Sequence, residues 1–386
     1  MTVGRDRSLI PTWLQSPNLR AFNHPSDGQS RCGRRTGQFS GSNNMKLSVV
    51  ILCWNDSRVI SDCLRSILNG TRLTEFEVIV SDNGSSDGSP QLIRETYPQV
   101  RVIENGENLR FARGNNVGIQ ASQGEYILIL NPDTVIHEGA LDKLVLFADQ
   151  HQEAGAFACR VLNPDGSYQH TVWPFPSIRG EWISALCPGR LHHLLDWVVS
   201  DTHAGWKGDT QHLIDWQAGC FIMFRGDLLK RLGGFDEQFF YYYEDVDLCH
   251  RVWDAGYSII YTPAVTITHL GGQSTRRFPL AFELDKYVTR YRYFYKYYGR
   301  RGARSCRRIS LVSLRIRWVA YELLQLVKPT AARKERMNLN RAAIEWNKRI
   351  DPVRLVEHGE EPDCRVRAAA RISTSAAHGH SDCEHQ

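Results

Sequence analysis

Tyr126-Ile127-Leu128-Ile129-Leu130 runs straight into Asn131-Pro132-Asp133, and Leu47-Ser48-Val49-Val50-Ile51-Leu52 likewise leads to Trp54-Asn55-Asp56. Two more short apolar stretches end the same way: Phe76 to Val80 leads to Asp82-Asn83-Gly84, and Val100 to Ile103 leads to Glu104-Asn105. Read as four strands of an open parallel sheet, they deliver these polar clusters to one crevice, because ligands sit beyond the carboxyl ends of such strands. A surface so rich in carboxylates and amides suits a nucleotide and a hard cation.

Working outward, helical periods fill the gaps between these strands. Ile60, Leu64, Ile67 and Leu68 form one stripe within Ser57 to Leu68, with Gly70 read as the residue just past its end. Ser89-Pro90 has helix-start chemistry, and that helix stops before Pro98. Ala112 to Ser122, closed by Gly124, gives a third helix, and Leu141, Leu144, Val145 and Ala148, past Glu138, give a fourth. Strict strand–helix alternation implies an α/β fold with a doubly wound, mostly parallel sheet flanked by helices.

Past about residue 155 the regularity loosens. Residues 163 to 212 read as long surface loops or a partly mobile substrate cover. Order returns with a strand Cys220 to Phe224, a helix Asp227 to Leu232, and a helix from Glu244 or Asp245 to Ala255. One strand through Ile259 and Ile260 and a second through Val265 and Ile267 follow. Residues 1–44 are polar and aperiodic, as is the tail 352–386, and both read as disordered. Between them lie a folded domain over 45–275 and a basic helical extension over 276–351.

At 386 residues and a formal charge of +5, the composition is that of a globular protein. The positive excess is local: Arg276 to Arg317 holds 13 Lys or Arg against Glu283 and Asp285. That run reads either as a solvated face or as a contact for an anionic membrane surface or anionic lipid. Ile309 to Val327 is the most apolar long stretch, but Arg315, Arg317, Glu322 and Gln325 interrupt it. It reads as an amphipathic helix, packed or lying on a membrane, rather than a span. Scattered cysteines without metal-ligand spacing, and no signal peptide, favour a reducing, cytoplasmic setting. No nucleic-acid recognition motif accompanies the basic run.

Each candidate residue has a plain structural reading as well. Asn131-Pro132-Asp133 can be a strand-end turn, yet Asp133 can offer oxygen to a cation. The glycine- and serine-rich segment from Asp82 can be a turn or a close ligand approach. Glu244-Asp245-Val246-Asp247 opens a helix, where dipole stabilisation and an Asp247–Arg251 pair account for acids. Three acids in four residues exceed that need, and a carboxylate beside a pocket is well placed as a general base. His269 ends a strand and precedes Gly271-Gly272-Gln273-Ser274; it is a packing residue or the completion of an oxygen-rich cation site.

Taken in order with Asn108, Phe111 to Asn116 and Gly233 to Phe240, these motifs resemble family 2 glycosyltransferases of the GT-A fold over roughly residues 46 to 300. Bacterial rhamnosyltransferases of cell-wall and surface polysaccharide synthesis are the nearest likeness. The resemblance implies an inverting transferase taking a dTDP- or UDP-sugar, with dTDP-rhamnose foremost, to a glycan or lipid-linked acceptor at the inner membrane face. It puts Asn55, Asp82, Asn83, Arg113, Asn131 and Asp133 on the nucleotide-sugar. Asp133 and His269 would hold magnesium or manganese, although Asn131 replaces the first aspartate of the DxD motif. Asp245 would be the base with Glu244 as competitor, and Trp216, Gly219 and Asp247 would face the acceptor. Two rivals remain: a sugar nucleotidyltransferase, which would carry a Gly-rich phosphate loop after the first strand, and a degenerate nucleotide-sugar-binding scaffold.

Overall fold

The computed structural model describes residues 45–186, 206–239, 242–271 and 279–359. The expected N-terminal extension, the middle of the 163–212 cover, Gly272-Gln273-Ser274 and the tail beyond 359 lie outside the described residues.

The N-terminal half alternates as its sequence dictates: β1 (Leu47–Cys53), α1 (Ile60–Gly70), β2 (Phe76–Asp82), α2 (Ser89–Thr96), β3 (Arg101–Glu104), α3 (Arg110–Ala121) and β4 (Tyr126–Leu130). There follow β5 (Thr134–Ile136), α4 (Ala140–Gln150), β6 (Ala154–Leu162), β7 (Val172–Trp173), α5 (Ile178–Leu186), β8 (His212–Leu213) and β9 (Trp216–Gln217). The chain continues with β10 (Phe221–Arg225), α6 (Gly226–Arg231), α7 (Glu244–Asp254), β11 (Ser258–His269), α8 (Pro279–Val327), α9 (Ala331–Arg349) and α10 (Pro352–His358).

The main sheet runs β3-β2-β1-β4-β10-β6-β11-β5, with β8 on β11. β3, β2, β1 and β4 are mutually parallel, the geometry that right-handed βαβ crossovers produce. β10 then runs antiparallel to both β4 and β6. The expected doubly wound frame therefore holds for the first half, and the second half is mixed.

β1 shows why the sheet is buried on both faces. Val49 and Ile51 pack with Ile60, Leu64 and Ile67 of α1 and with Leu141 and Leu144 of α4. Val50, pointing the other way, packs with Ile119 of α3 and with Leu248 and Val252 of α7. The approach of α3 to β1 is so close that a Cβ on Gly118 would lie 2.4 Å from Val50 Cγ1.

A third apolar cluster joins the C-terminal helices to this frame. Gly299, at φ 65°, breaks α8 into two arms. Tyr291 and Phe294 of the first arm, Cys306 and Leu314 of the second, Trp346 of α9 and Val246 of α7 share one core. Some of the cations of the basic run make structural contacts here. Arg300 pairs with Glu357 at 2.8 Å, and Arg307 donates to the backbone oxygens of Asn347 and Lys348.

Several boundaries differ from the sequence reading. Gly70 is the last helical residue, and the chain leaves α1 through extended Thr71. Left-handed Gly88, at φ 82°, sits before α2, so Ser89 is inside the helix. β6 was not foreseen at all, and β11 is one strand with a register shift between Thr262 and Thr266 where two were read. Residues 352–358 are helical, capped by the Asp351 carboxylate accepting from Val353 N–H, so order extends past the expected start of the tail.

Gly118→Ala tests the α3–β1 contact. Alanine gains about 1 kcal/mol of helix propensity over glycine, but overpacking a tight core costs roughly 1–3 kcal/mol. We expect a lower denaturant midpoint; a raised midpoint would contradict the close approach.

Candidate active site

The polar ends of β1 and β4 and the start of α7 wall a cleft of about 400 Å³. Asn83, Asn131, Asp133, Gly219, Glu244, Asp245 and His269 all line it, as the sequence placed them. Trp54, Asp56, Arg110, Phe111, Gln169, His170, Trp173 and Tyr242 line it as well.

Strand register explains one corner. β11 pairs antiparallel with β5, setting His269 opposite Thr134 and so beside Asp133. His269 Nε2 lies 3.3 Å from Asp133 Oδ1. On the other side of the ring, Nδ1 is 2.7 Å from Gln169 Oε1. Gln169 Nε2 donates to Asn163 Oδ1 at 2.8 Å, which fixes its amide with the oxygen toward the imidazole. The Gln169 contact orients the ring so that its Nε2 edge faces Asp133. Among the described residues no three His, Cys, Asp or Glu groups cluster as a complete cation site. Two protein ligands fit a magnesium or manganese ion that takes its remaining oxygens from a substrate diphosphate and water.

The opposite corner is the start of α7. Tyr242 and Tyr243 both have left-handed backbones, at φ 67° and 69°, and turn the chain so that Glu244 and Asp245 border the cleft. Asp245 Oδ2 accepts from Gly219 N–H at 3.0 Å and Oδ1 from Val246 N–H at 2.8 Å. Those bonds favour the carboxylate, but burial outweighs them and pushes Asp245 up to about 6. Burial, reinforced by the neighbouring Asp245, holds Glu244 well above the usual carboxylate range. Glu244 Oε2 is buried without a hydrogen-bond partner among the described residues. At neutral pH, then, Asp245 is the ionised member and Glu244 the neutral one. A Cβ on Gly219 would sit 3.3 Å from Phe111 and 3.7 Å from Asp245 Cβ, so a larger residue there crowds both.

Other residues fall differently from expectation. Asp82 does not line the cleft, but it is only 1% exposed at the end of β2. Its Oδ2 accepts from Ser85 N–H, and its Oδ1 is buried with no hydrogen-bond partner among the described residues. Asn83 spends its amide on Arg110 O, Asn108 Oδ1 and Asn105 Nδ2, bracing the start of α3 as well as lining the cleft. Asn55 turns toward the 82–89 loop and accepts from Ser86 N–H at 2.8 Å.

Arg113 is exposed and does not line the cleft; Arg110, at the first position of α3 with φ 67°, does. Trp216 lies behind the cleft wall, stacked at 4.9 Å on Trp173, with its indole N–H on Pro174 O. Asp247 does not line the cleft. Fully buried, it meets Arg251 Nε at 2.8 Å, Lys296 Nζ at 2.7 Å and Tyr297 OH at 2.8 Å, pinning α8 to α7.

These residues gather in one cleft at the carboxyl ends of the parallel strands. The Glycosyl transferase family 2 profile matches residues 48–207. An N-acetylglucosaminyl-diphospho-decaprenol L-rhamnosyltransferase of Mycobacterium tuberculosis is 31% identical over 219 residues, covering 52% of this chain and 69% of that protein. The rhamnosyltransferase WbbL of Escherichia coli is 27% identical over 213 residues, 53% of this chain and 76% of its own. The solved mannosyltransferase PcManGT of Pyrobaculum calidifontis is similar at TM-score 0.47 and 17% identity, over 79% of this chain and 88% of that one. The chain belongs to glycosyl transferase family 2 and is a glycosyltransferase.

Asp247→Ala tests the pinning contact. Removing one partner of a buried ionic cluster costs about 3–5 kcal/mol. Since Lys296 keeps partial solvent contact, we expect about 3 kcal/mol in urea unfolding; an unchanged midpoint would contradict the pinning role.

Proposed function

We propose that this enzyme transfers a sugar, rhamnose from dTDP-rhamnose foremost, to a lipid-linked saccharide, with inversion at the anomeric carbon. The observation that carries the reading is the convergence of Asp133, His269 and an Asp245 poised near neutrality in one cleft. The two relatives above act, by name, as rhamnosyltransferases, one of them on N-acetylglucosaminyl-diphospho-decaprenol.

Asp245 takes the proton from the acceptor hydroxyl as that oxygen attacks the anomeric carbon. The Gly219 and Val246 N–H groups hold the carboxylate in place for this step. Glu244, neutral, leaves the charge to its neighbour. On the donor side Arg110 brings positive charge to the diphosphate, and Asp82 braces the turn after β2 through Ser85 N–H. Asp133 and His269 would hold a divalent cation, whose bound form would offset charge on the departing nucleoside diphosphate. Trp173, backed by Trp216, supplies an aromatic face for a sugar ring.

Where the enzyme works is part of the same proposal. No helix among the described residues is long and apolar enough to cross a membrane. The second arm of α8 nevertheless ends in exposed Leu323, Leu324, Leu326 and Val327, the last 84% exposed. Beside a basic helix, such an edge suits the interface of an anionic bilayer at its cytoplasmic face.

Purified protein offered a panel of nucleotide sugars, a monosaccharide-diphospho-lipid and manganese should release nucleoside diphosphate from dTDP-rhamnose and lose most of that turnover in EDTA. Binding of no donor would make the scaffold reading the better one. Replacing Leu323, Leu326 and Val327 by serine should reduce sedimentation with phosphatidylglycerol vesicles several-fold, and wild-type sedimentation would remove the membrane contact.

A further inference from the structure

We propose that a second, basic recess beside the catalytic cleft binds the diphosphate of the lipid-linked acceptor; the assignment rests on the glycosyl-transfer reading above. This recess, about 310 Å³, is lined by Tyr242, Tyr243, Lys286, Tyr287, Arg290 and Arg317. Tyr242 lines the catalytic cleft too, so one side chain is the wall between them.

The recess is built by the break in α8. Lys286 and Arg290, four residues apart, share a face of the first arm, and Arg317 comes from the second arm beyond Gly299. Arg290 pairs with Glu181 of α5, and its buried Nε has no hydrogen-bond partner among the described residues. Arg317 Nη2 donates to Ser313 Oγ at 2.9 Å, and Lys286 Nζ lies 5.0 Å from the centre of the Tyr242 ring. Lys286, Arg290 and Arg317 bring three cations to one recess, and Glu181 pairs with Arg290. Guanidinium and ammonium groups bordered by phenols are a chemistry for phosphate oxygens.

Placement decides which phosphate. The donor diphosphate belongs at the Asp133–His269 corner, whereas this recess adjoins the residues immediately before Glu244 and Asp245. In a monosaccharide-diphospho-lipid the attacking hydroxyl and the diphosphate sit on the same ring. An acceptor whose hydroxyl reaches Asp245 must therefore put its diphosphate next to the base, across Tyr242. The lipid can continue along the same helix: at about 1.5 Å per residue, the exposed Leu323, Leu326 and Val327 lie roughly 9–15 Å beyond Arg317.

Farnesyl diphosphate is the probe, titrated calorimetrically in EDTA with dTDP and UDP in excess to occupy the donor site. Wild type should bind it. The Lys286→Ala/Arg317→Ala variant, checked to keep the wild-type unfolding midpoint, should bind at least tenfold more weakly. Arg308→Ala, which removes a charge from an exposed surface, should bind as wild type does. In transfer assays the double variant should raise KM for a prenyl-diphospho-monosaccharide at least tenfold, and leave KM for the alkyl glycoside of the same sugar unchanged. Equal farnesyl diphosphate affinity in wild type and double variant would overturn the site. So would an equal loss of binding to phosphatidylglycerol vesicles, which would make the recess a headgroup contact. Failure of every donor to turn over, with farnesyl diphosphate binding still sensitive to the double variant, would sink the transfer reading but leave the anion site standing.

Discussion

Two carboxylates on adjacent residues at the edge of a buried cleft cannot both carry charge cheaply, and the start of α7 is arranged around that fact. Glu244, the more deeply buried, stays protonated, while Asp245 receives two backbone N–H groups that its neighbour lacks. Acids in a first helical turn are favoured by the helix dipole, which moderates but does not cancel the burial. Left-handed Tyr242 and Tyr243 and the side-chain-free Gly219 then become comprehensible: the first two aim the pair, and the third lets a backbone donor approach.

The C-terminal helices belong to the same arrangement. Asp247, two residues past Asp245, gathers Arg251, Lys296 and Tyr297, so the kinked α8 fixes the helix that carries Asp245. Lys296 also reaches Asp236 at 2.8 Å, tying in the segment before α7. A positive run that looked like a solvated face is thereby partly a structural clamp. Lys286, Arg290 and Arg317 border the recess behind Tyr242.

The legible parts of the sequence were those where a single period dominates. β1, β2 and β4 are continuous apolar runs, and their carboxyl ends carry Asp82 and Asp133 where the reading put them. β6 was illegible because Ala154-Gly155-Ala156 and Ala158 lack strand-forming bulk; Gly155 is small because Leu228 and Tyr257 press on it. β11 looked like two strands because Pro263 sits at its irregularity. Arg110, which lines the cleft where Arg113 does not, carried no signal because the third helix reads from Ala112, two residues late, and facing cannot be judged without the boundary. Gln169 and Trp173 carried no signal, since their partners His269 and Trp216 are distant in the chain. The family resemblance named Asp245 and Asp133, but only packing separates Asp247 from them.

The most direct test of this account is the pH dependence of kcat/KM for acceptor in wild type, Glu244→Gln and Asp245→Asn. The account predicts a wild-type rate that falls below about pH 6, as the base takes up its proton. It predicts the same inflection in Glu244→Gln, whose neutral amide stands in for a neutral acid, and loss of transfer in Asp245→Asn with donor binding retained. Transfer that survives in Asp245→Asn and vanishes in Glu244→Gln would contradict it.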